Sequence, residues 1–384
     1  MESLVGLWQY AASFGSNLFW FLLILTVLVF FHELGHYFVA RWCGVRIVVF
    51  SIGFGGELFG WNDRHGTRWR VSWIPLGGYV KFFGDAGAAS TTGEGLAEMS
   101  EAERAVSFHH KPVGHRAAVV AAGPIANFIL AVVLLAGLYV TVGQPFTPAV
   151  IDVVQPGSAA EEAGLRPGDR IVAIDGYEIE RFETLQQIVS SSLGEPIEML
   201  VERDGERITL VARPRMIEVT DRSGNVHRIG RLGVGVQRLD YVRHGPVAAL
   251  WYASKETLFI AGATLEQVGQ MIVGERSADG VSGPIGIFRM SGQAAEFGVA
   301  TVVRLMALLS VSLGLINLFP IPILDGGHLM YYAFEAVRGR PLGERQQEYG
   351  FRIGLALIIL LLAFATLNDV LRLPLMGYLV KLFS

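Results

Sequence analysis

Residues 31–40 read FHELGHYFVA and place two histidines and a glutamate at the end of an apolar run long enough to cross a bilayer. Ionisable side chains inside a membrane helix are costly and usually functional. The spacing is H-E-x-x-H, with His32, Glu33 and His36. Residues four apart on a helix differ by about 40° around its axis, so both imidazoles can face one ion with Glu33 beside it. The stretch therefore predicts a membrane helix that carries a metal site.

Zinc suits this set of donors, because it accepts two nitrogens, one carboxylate and a water molecule. Glu33 can then take the proton of that water as it attacks a carbonyl carbon. This is the geometry of a hydrolytic metalloprotease. It requires a third protein ligand, which the motif itself does not provide.

The candidate third ligand is Asp325, in GLINLFPIPILDGGHLM at residues 314–330. Two prolines break the preceding helix and Gly326-Gly327 follows, so we expect a flexible segment that lets the carboxylate turn toward an ion. A helix-capping or turn role is the alternative for Asp325. Asn317, upstream, offers an amide that could hold a substrate carbonyl. His328 is expected to be only a neighbour, since a fourth ligand would close the position that water needs.

The composition agrees with a membrane location. Of 384 residues, 52% are hydrophobic and 17% are charged, which favours a membrane protein over a soluble one. The net charge of −4, without a long basic run, argues against nucleic-acid binding. The single cysteine, Cys43, excludes an intramolecular disulfide and a cysteine-based zinc cluster.

Four apolar segments are predicted to span the membrane, at about 17–40, 117–142, 299–321 and 351–371. Lysines and arginines are frequent between the first two spans and absent before residue 17. The positive-inside rule therefore predicts that loop 41–116 is cytoplasmic and that both termini and residues 143–300 lie outside.

The cytoplasmic loop is predicted to be β-rich over residues 44–83. Its two strand-like runs are VRIVVFSIGFG and TRWRVSWIPLGGYVKF, and both are too apolar for a freely solvated loop. We expect them to pack against the membrane helices or to enter the bilayer interface, and to offer an edge to an unwound substrate strand. The glycine-rich residues 84–99 read as a linker.

The outside segment is predicted to contain a compact β module at 146–236. Asp204-Gly205 lies between two alternating runs and predicts a hairpin. The string PGSAAEEAGLRPGDRIVAIDG, residues 156–176, closely resembles a PDZ domain of the bacterial protease-associated type. Residues 237–298 then contain a predicted amphipathic helix on the outer membrane surface, followed by a linker.

Taken together, these motifs resemble the site-2 protease family of intramembrane zinc metalloproteases, in its bacterial regulator-of-sigma-E branch. The resemblance rests on the intramembrane H-E-x-x-H, on N-x-x-P with a downstream L-D-G, and on a PDZ domain between them. AGPIANF at 122–128 and SGPIGI at 282–287 add to it. This chain has room for one PDZ module where the longest members carry two, which puts any size filter built from a tandem pair in doubt.

The resemblance implies one zinc ion with ligands His32, His36 and Asp325, and Glu33 as the catalytic base. It also implies that Asn317 and Asn127 support the substrate. The expected activity is cleavage of single-span membrane proteins, such as a pre-trimmed anti-sigma factor or remnant signal peptides, in the bacterial cytoplasmic membrane. A non-proteolytic PDZ-bearing membrane scaffold and an ion-coupled transporter are the alternatives.

The expected fold is a polytopic α-helical membrane protein with about four transmembrane helices, a membrane-associated β loop and one extracytoplasmic PDZ-like β domain. The predicted parts are an N-terminal membrane half (1–145), the PDZ-like domain (146–236), the amphipathic helix with its linker (237–298) and a C-terminal membrane half (299–384).

Overall fold

The computed structural model describes residues 2–85, 98–192, 194–220, 226–275, 277 and 282–371. The chain folds into two compact units, called here the membrane unit and the β unit. The membrane unit comprises Met1–Leu138, Ala248–Val268 and Ser277–Ser384, and the β unit comprises Tyr139–Val247 and Gly269–Arg276.

The helices are α1 (Glu2–Trp42), α2 (Glu101–Val106), α3 (Val113–Thr141), α4 (Ala159–Glu162), α5 (Phe182–Ser191), α6 (Pro246–Ile272), α7 (Pro284–Glu296), α8 (Val299–Leu318), α9 (Asp325–Arg338) and α10 (Glu344–Leu371). The strands are β1 (Ile47–Asn62), β2 (Arg68–Phe82), β3 (Gln144–Phe146), β4 (Val153–Val154), β5 (Arg170–Ile174), β6 (Tyr177–Glu178), β7 (Ile197–Arg203), β8 (Glu206–Ala212), β9 (Arg215–Thr220), β10 (Val226–Arg231), β11 (Val234–Gly235) and β12 (Asp240–Val242).

Within the described ranges, four helices are long and apolar enough to cross a membrane, namely Ser13–Trp42, Val113–Thr141, Val299–Leu318 and Arg345–Leu371. They confirm the four predicted segments. Helix α1 begins at Glu2, well before the predicted start at about residue 17. Side chains from α1, α3 and α8 form a shared core, with Leu28, Leu130 and Met306 buried in it.

The β-rich loop is one folded sheet built from β1 and β2, called here the hairpin. Residues 49–52 pair on one side with 78–81 and on the other with 68–71, and residues 57–62 pair with 68–72. Strand β1 continues to Asn62, beyond the predicted end at 55, but it reverses direction at the glycines of GFGG, residues 53–56, since Ile52 and Phe59 both pair with Val71. Phe50 is fully buried and stacks on Trp69 at 4.1 Å between ring centroids. Tyr37 of α1 and Val119 of α3 belong to the same core, so the base of the hairpin packs on the helices.

The segment around Asp325 differs from the expectation of a flexible turn. Asp325 is the first residue of α9, and Gly326 and Gly327 are helical and buried. A Cβ at Gly326 would overlap the carbonyl oxygens of Leu318 and Phe319. These glycines therefore serve close packing of α9 against the end of α8, and their conformational freedom is not used. Helix α7 was not predicted either.

The β unit contains a four-stranded sheet in the order β6-β5-β7-β8. The predicted hairpin is confirmed: β7 and β8 pair around Asp204 and Gly205, which both have positive φ. Leu185 and Val189 of α5 pack into the core beside the sheet, on the predicted helix face. A further hairpin, β9–β10, was not foreseen.

The predicted amphipathic segment is one helix, α6. Its placement on a membrane surface stays a prediction. The predicted linker 84–99 falls largely on residues 86–97, which lie outside the described residues.

Candidate metal centre and active site

Helix α1 places His32 and His36 on one face, one turn apart. Their side chains are buried, with 8% and 9% of their surface exposed. The two Nε2 atoms are 3.2 Å apart and the rings are nearly perpendicular, at 87°. The H-E-x-x-H spacing thus produces the converging imidazoles that the sequence predicted.

Asp325 reaches the same point from the other end of the chain. Helix α8 ends at Leu318, a short turn follows, and α9 begins at Asp325. One carboxylate oxygen, Oδ2, lies 3.2 Å from Nε2 of His32 and 3.6 Å from Nε2 of His36. The three side chains that the sequence proposed as ligands are therefore brought together.

The donor atoms fit a zinc ion. Three ligands of tetrahedral zinc are separated from one another by about 3.3 Å when each bond is about 2.0–2.1 Å, and the observed separations are 3.2, 3.2 and 3.6 Å. Nδ1 of His36 lies 2.8 Å from the Val119 carbonyl, which can only accept, so Nδ1 carries the proton and Nε2 presents a lone pair. Among the described residues, the buried Oδ2 of Asp325 has no hydrogen-bond partner. A cation at this point satisfies all three groups.

Glu33 lines a cavity of about 220 Å³ that also contains the three donor residues. Val80, in β2, lines the same cavity. Gly78 allows β2 to approach α1, since a Cβ there would be 3.1 Å from Val29 and 3.4 Å from Cγ of Glu33. The Glu33 side chain therefore lies between α1 and β2, next to the donor set but outside it.

The two asparagines predicted to support substrate occupy different positions. Asn317 lines the cavity. Asn127 is fully buried, and its Nδ2 lies 3.1 Å from Nδ1 of His32. His328 also lines the cavity, and burial lowers the pKa of its imidazole, so it is neutral at physiological pH.

Helix α9 is fastened at its far end as well. Arg116 of α3 forms an ion pair with Glu335 at 2.5 Å, and its guanidinium lies 4.9 Å from the centre of the Tyr332 ring. Burial raises the pKa of Tyr332 to about 12, so the phenol is neutral. These contacts fix the orientation of α9 on α3 and thereby the direction from which Asp325 reaches the histidines.

Sequence reasoning missed the parts of the site that depend on backbone. No residue type in the sequence marks these parts, which are the Val119 carbonyl, the missing side chain at Gly123 and the strand segment Gly78–Val80. The AGPIANF stretch contributes to the family resemblance, but nothing in it indicates that Gly123 makes room for an imidazole. A buried trio of two histidines and an aspartate, with a glutamate beside it, is the set of donors expected in a zinc metalloprotease.

Comparison with known proteins gives the family. Residues 20–361 match the model of peptidase family M50. Two relatives named "Putative zinc metalloprotease", Atu1380 of Agrobacterium fabrum and R01501 of Rhizobium meliloti, are each 47% identical over 355 residues, which is 91% of this chain and 94% and 95% of theirs. "Metalloprotease MmpA" of Caulobacter vibrioides is 39% identical over 387 residues, which is 94% of this chain and 97% of that one. The chain belongs to peptidase family M50, the site-2 protease family, and is a zinc metalloprotease.

Proposed function

We propose that this chain is an intramembrane endopeptidase that cleaves the transmembrane segments of single-span membrane proteins, with His32, His36 and Asp325 as its zinc ligands. The observation that carries the proposal is the position of the donor set. Its two histidines lie within a helix that is long and apolar enough to cross a membrane, and the set lines a cavity that residues of β2 also line. A substrate that is itself a membrane helix can reach such a site from the bilayer.

The proposed chemistry divides among a few side chains. His32, His36 and Asp325 would hold a zinc ion, which when bound would supply a Lewis acid for the scissile carbonyl and would lower the pKa of a water molecule. The Glu33 carboxylate accepts the proton of the attacking water and passes it to the leaving amine nitrogen. The amide of Asn317, on the cavity wall, donates a hydrogen bond to the substrate carbonyl or backbone.

A transmembrane substrate must unwind before cleavage, because a helix keeps its peptide groups in its own hydrogen-bond ladder. We propose that β2 receives the unwound segment as an added strand, since Gly78, Tyr79 and Val80 line the cavity. Proline substitutions along both hairpin strands test this step. If these variants cleaved both a transmembrane substrate and an unwound peptide at the parental rates, this step would be contradicted.

The substrate class that fits best is a pre-trimmed anti-sigma factor, with remnant signal peptides as a second possibility. In this proposal the enzyme resides in the bacterial cytoplasmic membrane, with loop 41–116 in the cytoplasm and both termini outside. The β unit acts as an extracytoplasmic PDZ module that controls access. A cleft of about 330 Å³ between α5 and residues 231–234 supports that assignment.

Co-expression of the parent or the Glu33→Gln variant with a candidate anti-sigma factor tests the proposal. The parent should cut the substrate within its membrane segment, and the variant should leave it intact while keeping its zinc, because Glu33 is not a ligand. Cleavage by Glu33→Gln at the parental rate, or cleavage only in soluble domains, would contradict it.

A further inference from the structure

One face of helix α3 lies against the two imidazoles. Val119, Gly123 and Asn127 are spaced four apart, so they share that face. Val119 accepts a hydrogen bond from His36 through its carbonyl, and Asn127 contacts His32 through its amide. A Cβ at Gly123 would overlap the His36 ring and lie 2.8 Å from Cε1 of His32. A single helix face therefore supplies a partner for each histidine and the space between them.

The contact at His32 has a chemical requirement. If Nε2 of His32 binds the metal, its Nδ1 carries the proton and needs an acceptor. The Asn127 amide lies 3.1 Å from Nδ1, and its own Oδ1 is buried without a hydrogen-bond partner among the described residues. Half a turn of the amide about its terminal torsion brings Oδ1 onto the Nδ1–H, and that oxygen then gains the hydrogen bond it lacks.

The backbone at Asn127 is also fixed. Its carbonyl accepts a hydrogen bond from the Ser310 hydroxyl of α8 at 2.7 Å, and Gly314, one turn further along α8, packs against the same residue. The amide is therefore fully buried and set at one height beside His32, where it can direct the ring.

We propose that Asn127 is a positioning residue of the metal centre: its amide oxygen accepts the Nδ1–H of His32 and holds Nε2 toward the ion. The Val119 carbonyl does the same for His36, and Gly123 leaves room for both rings. This role differs from the substrate contact that the sequence suggested for Asn127. The inference rests on the proposed ligand set, and its test separates the two.

Zinc affinity of the purified full-length chain in detergent, measured by competition with a chelator, is the test. Asn127→Leu should weaken zinc binding about 10- to 100-fold, the usual effect of losing such a partner. Asn127→Asp should bind zinc within a few-fold of the parent, because a carboxylate also accepts from Nδ1–H. Ile129→Leu, on the exposed side of α3, is the matched control and should match the parent.

Two results would overturn the proposal. One is parental zinc affinity in Asn127→Leu. The other is an equal loss of affinity in Asn127→Asp and Asn127→Leu, which would assign the amide a donor role. If zinc-saturated Asn127→Leu shows a raised KM with unchanged zinc affinity, Asn127 is a substrate contact. His36→Ala must lose zinc in the same assay, and failure there would reject the ligand set itself.

Gly123→Ala provides a second route if the Asn127 variants do not fold. Alanine favours the helix more than glycine and offsets part of the cost of the added methyl, so the metal-free chain should still unfold as a folded protein. The added methyl should displace the imidazoles and weaken zinc binding at least 10-fold. Gly137→Ala, whose added Cβ meets no atom within 4 Å, is its control. Parental zinc affinity in Gly123→Ala would show that the α3 face does not constrain the rings.

Discussion

Gly327→Ala should disable the metal site without touching a ligand. A Cβ at residue 327 would lie 2.5 Å from Cα of Pro322 and 2.6 Å from the carbonyl carbon of Ile321. Carbon atoms pack at about 3.5–4.0 Å, so α9 and the preceding turn must separate by roughly 1 Å. Both neighbouring atoms are backbone, in a segment stiffened by proline, and cannot rotate away. The shift therefore moves Asp325, two residues earlier.

The size of the effect follows from how little displacement the site tolerates. Zinc ligands must lie within about 0.2 Å of their ideal distances, and a misplacement of about 1 Å costs about 100-fold in rate. We expect Gly327→Ala to weaken zinc binding at least 10-fold and to lower kcat/KM for a transmembrane substrate about 100-fold. Overpacking of this kind destabilises a fold by about 1–3 kcal/mol, part of which the better helix propensity of alanine offsets.

Chelator competition, thermal unfolding of the metal-free chain and gel-based cleavage of a transmembrane substrate measure the three quantities. Gly137→Ala is the control: it should match the parent in zinc binding and cleavage, and it should unfold at the same or a slightly higher temperature. If Gly327→Ala bound zinc and cut substrate as well as the parent, the argument that close packing of α9 sets the position of Asp325 would be refuted.

Three further predictions concern metal, charge and pH. Removal of zinc by a chelator should abolish cleavage, and added zinc should restore it. In the β unit, Arg203→Met should destabilise the fold by about 2–3 kcal/mol in denaturant unfolding, because it leaves the buried Asp169 carboxylate without its bidentate partner. Arg215→Met is the control and should cost less than about 1 kcal/mol, since its ion pair with Glu162 is exposed. At the hairpin, burial opposes ionisation of Asp63, but hydrogen bonds from Tyr37, Trp69 and two backbone amides lower its pKa to about 2. Its ordinary pKa is about 3.9, so the stabilisation is complete above that value and is lost as the pH falls toward 2, and Asp63→Asn should remove this part of the acid sensitivity in tryptophan fluorescence.

Local chemistry was readable from the sequence where residue type and spacing decide it. The spacing of His32 and His36 on a helix makes their imidazole rings converge, and the length of an apolar segment predicts a membrane-spanning helix. The hairpin at Asp204-Gly205 follows from residues that tolerate positive φ. Each of these features depends on neighbours a few positions apart, so no knowledge of the fold is required.

The remaining features depend on contacts between distant segments. Gly326 and Gly327 look like flexible residues in the sequence, yet they are helical, and only their overlap with the end of α8 and the turn after it reveals why glycine is needed. The contribution of α3 to the site is a carbonyl, a missing Cβ and one amide, and the first two have no side chain to recognise. The continuation of β1 beyond GFGG likewise depends on contact with a distant segment, since residues 57–62 pair with 68–72.

The most direct test of the account is the zinc content of the Asp325→Ala variant, purified in detergent beside the parent and measured by mass spectrometry of the metal. The central claim is that His32 and His36, near one end of the chain, and Asp325, near the other, form one binding site. The parent should therefore carry one zinc ion per chain, and the folded variant should carry close to none. A folded Asp325→Ala variant that retained one zinc ion per chain would contradict it.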